Sequence, residues 1–120
     1  MAYIIDVPSY TDNRGNLVVI EKILPFEIKR VYYIYNAHGI RGGHRHKRNI
    51  QALVCINGQC IISNNDGEKT EDFLLDTPQK ILILEEKDWH TMHSFSENAV
   101  LLALASEYYD EDDYIEEEYT

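Results

Sequence analysis

Apolar residues along this chain fall in short runs, broken at fairly even intervals by Gly, Pro, Asn and Asp. Runs of that length rich in β-branched and aromatic residues are read as strands. Asn16–Glu21 follows a turn at Asp12-Asn13-Arg14-Gly15, and Ile28–Tyr35 begins after Pro25-Phe26. Asn36–Gly43, with three glycines, reads as a loop. His44–Arg48, Gln51–Ile56 and Gln59–Ser63 come next, the last two joined at Asn57-Gly58, a strong hairpin signal. Asn65-Asp66-Gly67 turns the chain toward Thr70–Leu75, and Ile81–Leu84, Thr91–Phe95 and Ala99–Ala105 complete the set. Ala99–Ala105 is apolar at every position and reads as a central strand, although periodicity alone leaves a buried helix open. Only Asp110–Tyr119 looks helical, with Asp110 as N-cap and acids in the first turn. Short, evenly spaced strands with turn residues between them predict an all-β sandwich or barrel, and a terminal helix added to them fits a jelly roll.

At 120 residues the chain is expected to form one domain spanning 1–120. No apolar run is long enough to span a membrane, and the start Met-Ala-Tyr-Ile-Ile-Asp lacks the basic-then-apolar order of a signal peptide. A cytoplasmic protein is therefore expected. The net charge of −10 argues against nucleic acid as a partner. The charge is uneven: eight of the 21 acids lie between Glu107 and Glu118, and six of the 11 basic residues between Lys29 and Arg48. Charge runs such as the acidic tail usually mark a solvated helix or frayed end. Cys55 and Cys60 flank the Asn57-Gly58 turn, which would set them directly opposite each other. A cross-strand disulfide is conceivable, but a cytosolic chain keeps such thiols reduced, and they read as buried strand residues.

The basic middle changes the picture. In Arg41-Gly-Gly-His-Arg-His-Lys-Arg-Asn-Ile-Gln51, His44 and His46 lie two residues apart and so face one side of a strand, with Arg45 on the other. Surrounding cations (Arg41, Arg45, Lys47, Arg48) suggest a pocket for an anionic small molecule. The spacing also fits the first motif of the cupins, except that Gln51 stands where a carboxylate ligand belongs, and the second motif would end at His90. His44, His46 and His90 could thus offer three nitrogens to a metal. Against this, the Gln51 amide is a weak ligand and Arg45 and Lys47 repel a dication. The five-residue offset from His46 to Gln51 also needs a bend if both are to face inward. Otherwise the histidines are free to work as acid and base near neutral pH.

Longer stretches carry a specific resemblance. Asp12–Glu21, Pro25–Ile34, Arg41–Lys47, Gln51–Cys60, Trp89–Ser96 and Leu104–Ile115 (L-A-S-E-Y-Y-D-E-D-D-Y-I) make the chain closely similar to the cupin-fold sugar 3,4-ketoisomerases, the WxcM-like group acting on dTDP-4-keto-6-deoxyglucose. The resemblance implies a cupin-type jelly-roll barrel with a short C-terminal helix. It also implies a metal-free, cofactor-free isomerase that moves a keto group from carbon 4 to carbon 3 of a nucleotide-linked hexose. Its product would feed an aminotransferase making 3-amino sugars for surface polysaccharides. The family's catalytic pair falls on His44 and His46 and its arginine on Arg41, and the family is typically a homodimer exchanging N-terminal strands. The residues fit such chemistry: His46 is expected as principal base with His44 as partner, and Arg41, Tyr33 or Tyr35 as donor to the enediolate. Arg14, Arg30, Arg41 and Lys47 are candidates for the diphosphate and Trp89 or Tyr32 for stacking on the base, with Gln51 and His90 completing the binding set. On one strand, however, Arg30 shares a face with Tyr32 rather than with Tyr33 and Tyr35. The chain departs from the group at Arg45, where a small residue is usual, and at Glu85-Glu86, before Trp89-His90. A metal-dependent cupin enzyme using His44, His46 and His90, and a non-catalytic nucleotide-sugar binding module, are the competing readings.

Overall fold

The computed structural model describes residues 1–120 as twelve short strands. They are β1 (Tyr3–Asp6), β2 (Tyr10–Asp12), β3 (Gly15–Leu17), β4 (Arg30–Tyr35), β5 (Arg41–His46) and β6 (Gln51–Asn57), then β7 (Cys60–Asn65), β8 (Thr70–Leu75), β9 (Lys80–Leu84), β10 (Trp89–His93), β11 (Val100–Ala105) and β12 (Tyr114–Ile115). Two five-stranded antiparallel sheets, β1-β9-β6-β11-β4 and β12-β5-β10-β7-β8, form the jelly-roll barrel, and β2 and β3 make a separate hairpin.

Alternation along each strand explains how the sheets close on each other. Leu53 and Cys55 of β6, Leu82 and Leu84 of β9, and Leu101 and Ala103 of β11 point into the barrel. There they meet Cys60 and Ile62 of β7, Leu75 of β8 and Met92 of β10 from the other sheet. Burying each large side chain of this set contributes about 1.5–3 kcal/mol. The alternate residues of the first sheet are apolar too. Ala52, Val54, Ile81, Ile83 and Leu104 form a second cluster on its outer face, covered by Val18, Ile20, Leu24 and Phe26 of the segment after β3. A sheet buried on both faces needs strands apolar at nearly every position, which is why Val100–Ala105 and Ile81–Leu84 read as continuous apolar runs. β11 lies between β6 and β4, so the central-strand reading is the one the structure adopts.

Several expectations are corrected. Asn57-Gly58 does not close a hairpin: β6 and β7 belong to opposite sheets, and the turn carries the chain across the barrel. Cys55 and Cys60 are accordingly not cross-strand neighbours. Both are buried in the core as free thiols, and the Cys55 thiol donates to the Asn57 carbonyl at 3.2 Å. The strand expected over Asn16–Glu21 ends at Leu17, because Val18 and Ile20 serve as cover for the first sheet rather than as ladder residues. β1 and β2 were not anticipated. β5 starts at Arg41, earlier than the glycines of 36–43 suggested. The helix expected over Asp110–Tyr119 shrinks to one 3-10 turn, Glu111–Asp113. Asp110 does cap it, accepting from the Asp112 amide at 3.0 Å. The chain then straightens into β12, because Asp113 and Tyr114 find partners on β5 that a helix would forgo.

The crossing at Gly58 depends on the absence of a side chain. With φ at +70°, a β-carbon there would stand 2.3 Å from Ser96 Oγ and 3.0 Å from Ala99 Cα, and that Ser96 oxygen already accepts from the Gln59 amide. Gly58→Ala is therefore expected to lower stability by about 1–3 kcal/mol, measured as a reduced urea midpoint with an unchanged slope.

Candidate active site

β5 sets His44 and His46 on the inner face of the second sheet, their rings 5.1 Å apart and edge to face. β10 runs beside it and places His90 directly opposite His44, again with ring centres 5.1 Å apart. The close approach of the two strands requires Gly42, where a β-carbon would press on the His90 carbonyl at 2.9 Å. The chain bends after His46, and Gln51, the first residue of β6, returns to the same place. Its Nε2 lies 2.8 Å from His46 Nε2, so both residues face inward despite the five-residue offset.

The other side of His46 is held by the C-terminal segment. Asp113 Oδ2 lies 2.7 Å from His46 Nδ1, and Asp113 Oδ1 accepts from the Arg48 amide at 2.7 Å. Burial by itself would raise the Asp113 pKa, but the Arg48 amide and His46 outweigh it and hold the carboxyl below its ordinary value. An ionised Asp113 fixes the tautomer: Nδ1–H donates to the carboxylate, and Nε2 carries the lone pair that accepts from the Gln51 amide. Gln51 Oε1 in turn accepts from the Tyr32 hydroxyl at 3.2 Å. A chain of hydrogen bonds therefore runs from Asp113 through His46 and Gln51 to Tyr32. In this arrangement both nitrogens of His46 are engaged.

All three imidazoles are held neutral at pH 7. Burial lowers His44 to about 4, with a further push from His46. Burial lowers His90 to about 3, although its contact with the Asp88 carbonyl opposes the shift. Burial also lowers His46, but Asp113 supports its cation, making it the member best placed to take a proton. His90 is 1% exposed, and its Nε2 has no hydrogen-bond partner. Tyr32 is pushed up to about 12 by burial and stays a hydroxyl donor.

A cleft of about 320 Å³ opens onto this cluster, walled by His44, Tyr114, Tyr32, Met92, Arg30 and Arg41. The Tyr114 ring lies 4.7 Å from both His44 and His46. Arg30 stacks over Tyr32 at 5.1 Å and Tyr109 at 5.6 Å, which holds its guanidinium at the cleft wall. Larger grooves beside the β2–β3 hairpin (about 430 Å³) and beside His38 and His93 (about 600 Å³) contain neither His44 nor His46.

The fold thus brings together Arg30, Arg41, His44, His46, Gln51 and His90. It does not gather the rest of the expected set around them. Tyr33 and Tyr35, each 63% exposed, project from the outer face of the first sheet, and the inward position belongs to Tyr32. Arg14 pairs with Asp12 in the exposed β2–β3 turn. Lys47 is exposed just beyond β5. Trp89 faces away from His90, its Nε1 donating to the Glu116 carbonyl at 3.0 Å. Sequence reasoning missed Asp113 and Tyr114. Their signal lay in Leu104–Ile115, a match no rule of fold required, but the acidic composition there read as a solvated end.

Comparison with known proteins agrees with this geometry. The family described as FdtA, WxcM-like C-terminal, matches residues 1–120. The TDP-4-oxo-6-deoxy-alpha-D-glucose-3,4-oxoisomerase of Aneurinibacillus thermoaerophilus is 47% identical over 116 residues, covering 93% of this chain and 84% of that protein. A 3,4-ketoisomerase from Helicobacter canadensis superposes with a TM-score of 0.92 at 40% identity, covering 97% of this chain and 90% of the other. QdtA, a sugar 3,4-ketoisomerase from Thermoanaerobacterium thermosaccharolyticum solved with TDP, gives 0.92 at 41% identity over 97% and 88% of the two chains. With the barrel, the histidine cluster and the whole-length match in agreement, the chain belongs to the FdtA, WxcM-like family of cupin-fold proteins.

Proposed function

We propose that this protein is a nucleotide-sugar 3,4-ketoisomerase that converts dTDP-4-keto-6-deoxyglucose to a dTDP-3-keto-6-deoxyhexose. The relatives named above support the reaction class. The observation that carries the site assignment is the Asp113–His46 pair, set behind a cleft that His44 and two arginines help to wall.

The reaction moves one hydrogen between neighbouring carbons. A base removes the proton from carbon 3, the electrons form a carbon 3–carbon 4 enediolate, a proton shifts between the two oxygens, and carbon 4 receives a proton as the carbonyl forms at carbon 3. No oxidant is consumed. His46 is the base: Asp113 accepts from its Nδ1–H and stabilises the imidazolium that forms. To accept the carbon-bound proton, its Nε2 must exchange the Gln51 amide for the sugar. Gln51 suits that exchange better than a carboxylate, which would hold His46 protonated. His44, neutral at the cleft wall, donates to the developing oxyanion, a task a neutral imidazole performs at lower cost than a cation that must give up its proton. Arg30 and Arg41 supply guanidinium groups for the diphosphate.

A homodimer with exchanged N-terminal strands also belongs to this reading. Every residue of β2 and β3 is exposed, and Tyr10, Leu17 and Val19 present apolar surface there. Val31, Tyr33 and Tyr35 extend an apolar patch along the edge strand β4. A second copy would cover both and could carry Arg14 toward a site not its own.

Incubation with dTDP-4-keto-6-deoxyglucose is expected to yield the 3-keto isomer by NMR, unchanged by a chelator. No conversion would defeat the proposal. Loss of activity on chelation, restored by a divalent ion, would return His44, His46 and His90 to the role of metal ligands. His46→Asn and Asp113→Asn should each lower kcat by about 10²–10⁴ while the protein remains folded. The acid limb of kcat/KM should fall below the ordinary histidine value of 6.5, since His46 is shifted downward.

Stability should follow the buried histidines. The folded values of His44 and His90, about 4 and 3, lie below the unfolded value near 6.5, so the unfolded chain binds more protons in between. Stability is full above pH 6.5 and falls as the pH drops toward 4. A loss of about 2–4 kcal/mol between pH 7 and 4.5 is expected in urea titrations. His90→Gln should flatten that slope.

A further inference from the structure

Arg45 lies between the two histidines in sequence but on the opposite face of β5, and nothing in the proposed chemistry uses it. It sits under the segment that delivers Asp113 and Tyr114. In the β12–β5 ladder, Tyr114 pairs with His46 and Ile115 with Arg45. Before that ladder the segment is fixed by the Asp113 carbonyl, which accepts from the Lys47 amide at 2.9 Å. Beyond it, three contacts hold the chain against the sheet. Trp89 Nε1 donates to the Glu116 carbonyl at 3.0 Å, and the Tyr119 hydroxyl donates to the Lys87 carbonyl at 2.9 Å. The Arg45 guanidinium lies under the Tyr119 ring, 4.7 Å from its centre. The same ring rests on the backbone at Gly67, where a β-carbon would touch it at 3.4 Å. Arg45 Nε is buried without a hydrogen-bond partner, and the guanidinium meets this segment through the Tyr119 ring.

These contacts matter because β12 is only two residues long and cannot hold itself. The segment is also strongly acidic, with Glu116, Glu117 and Glu118 in succession. Self-repulsion favours its detachment, and the cation of Arg45 beneath it opposes that.

We propose that Arg45 and Tyr119 form a clasp that holds the C-terminal segment on the barrel, and thereby sets Asp113 against His46 and Tyr114 against His44. Both are positioning residues, and their effect on turnover rests on the ketoisomerase reading. A displacement on the order of 1 Å at a reacting group can cost about 100-fold in rate, so loosening the clasp acts on catalysis more than on substrate binding.

The test compares Arg45→Ala, Tyr119→Ala, the double variant and Tyr119→Phe with wild type. It reads kcat, KM, the thermal midpoint, and the downfield proton resonance of the His46 Nδ1–H bound to Asp113, assigned by its loss in Asp113→Asn. Arg45→Ala and Tyr119→Ala should each lower kcat by about 10- to 100-fold with KM and the thermal midpoint little changed, and should broaden or abolish the resonance. The double variant should be no worse than either single one, as expected for two halves of one device. Tyr119→Phe keeps the ring over Arg45 and should retain most of the activity and the resonance. Wild-type values of kcat and of the resonance in Tyr119→Ala would overturn the clasp. The resonance is read without substrate, so a protein that does not isomerise the sugar yet loses the signal on Tyr119→Ala would refute the ketoisomerase reading and leave the clasp standing.

Discussion

The hydrogen bond between Asp113 and His46 joins the two parts of this molecule that most need each other. On one side is a barrel with histidines on its inner wall. On the other is an acidic stretch with little apolar content to hold it down. Joining them settles several matters together. The carboxylate fixes the His46 tautomer, the imidazole gives the buried acid a partner, and the chain between them is drawn into a two-residue strand that brings Tyr114 to the cleft. A buried carboxylate without such partners would be costly, and so would a buried imidazole asked to take a proton. Each makes the other tolerable.

The barrel supplies the rigidity this arrangement requires. The first sheet is packed on both faces, by the opposite sheet within and by Val18, Ile20, Leu24 and Phe26 without. The second sheet carries most of the candidate site: β5 and β10 bring three histidines to one wall, and the bend after His46 returns Gln51 to the same point. The two layers are thus joined at the site, with Gln51 of the first, held by Tyr32 of the same sheet, reaching His46 in the second.

The strands were legible in the sequence because their signals are local: β-branched runs, turn residues, and the i, i+2 parity that aimed His44 and His46 inward together. The same parity already placed Arg30 with Tyr32 and against Tyr33 and Tyr35, which the structure displays on the outer face. What could not be read was non-local. Asn57-Gly58 has the composition of a hairpin turn, but pairing is decided by which sheet has room for each strand, and β7 found partners in β8 and β10. The acidic tail has the composition of a solvated end, and only the presence of Arg48 and His46 across 65 and 67 residues of chain makes Asp113 a buried one. The family-like stretch from Leu104 to Ile115 held that information without the contacts that explain it.

The three neutral imidazoles have a collective property. His44 and His90 are each within 5.1 Å of a neighbouring ring, and His46 depresses both, so a proton on one member opposes a proton on the others. A proton on any one of them is therefore quickly given up. In the proposed reaction, a proton that His46 takes from the sugar must leave the cluster before the next cycle begins, and the nearest place to put it is the adjacent carbon of the same molecule.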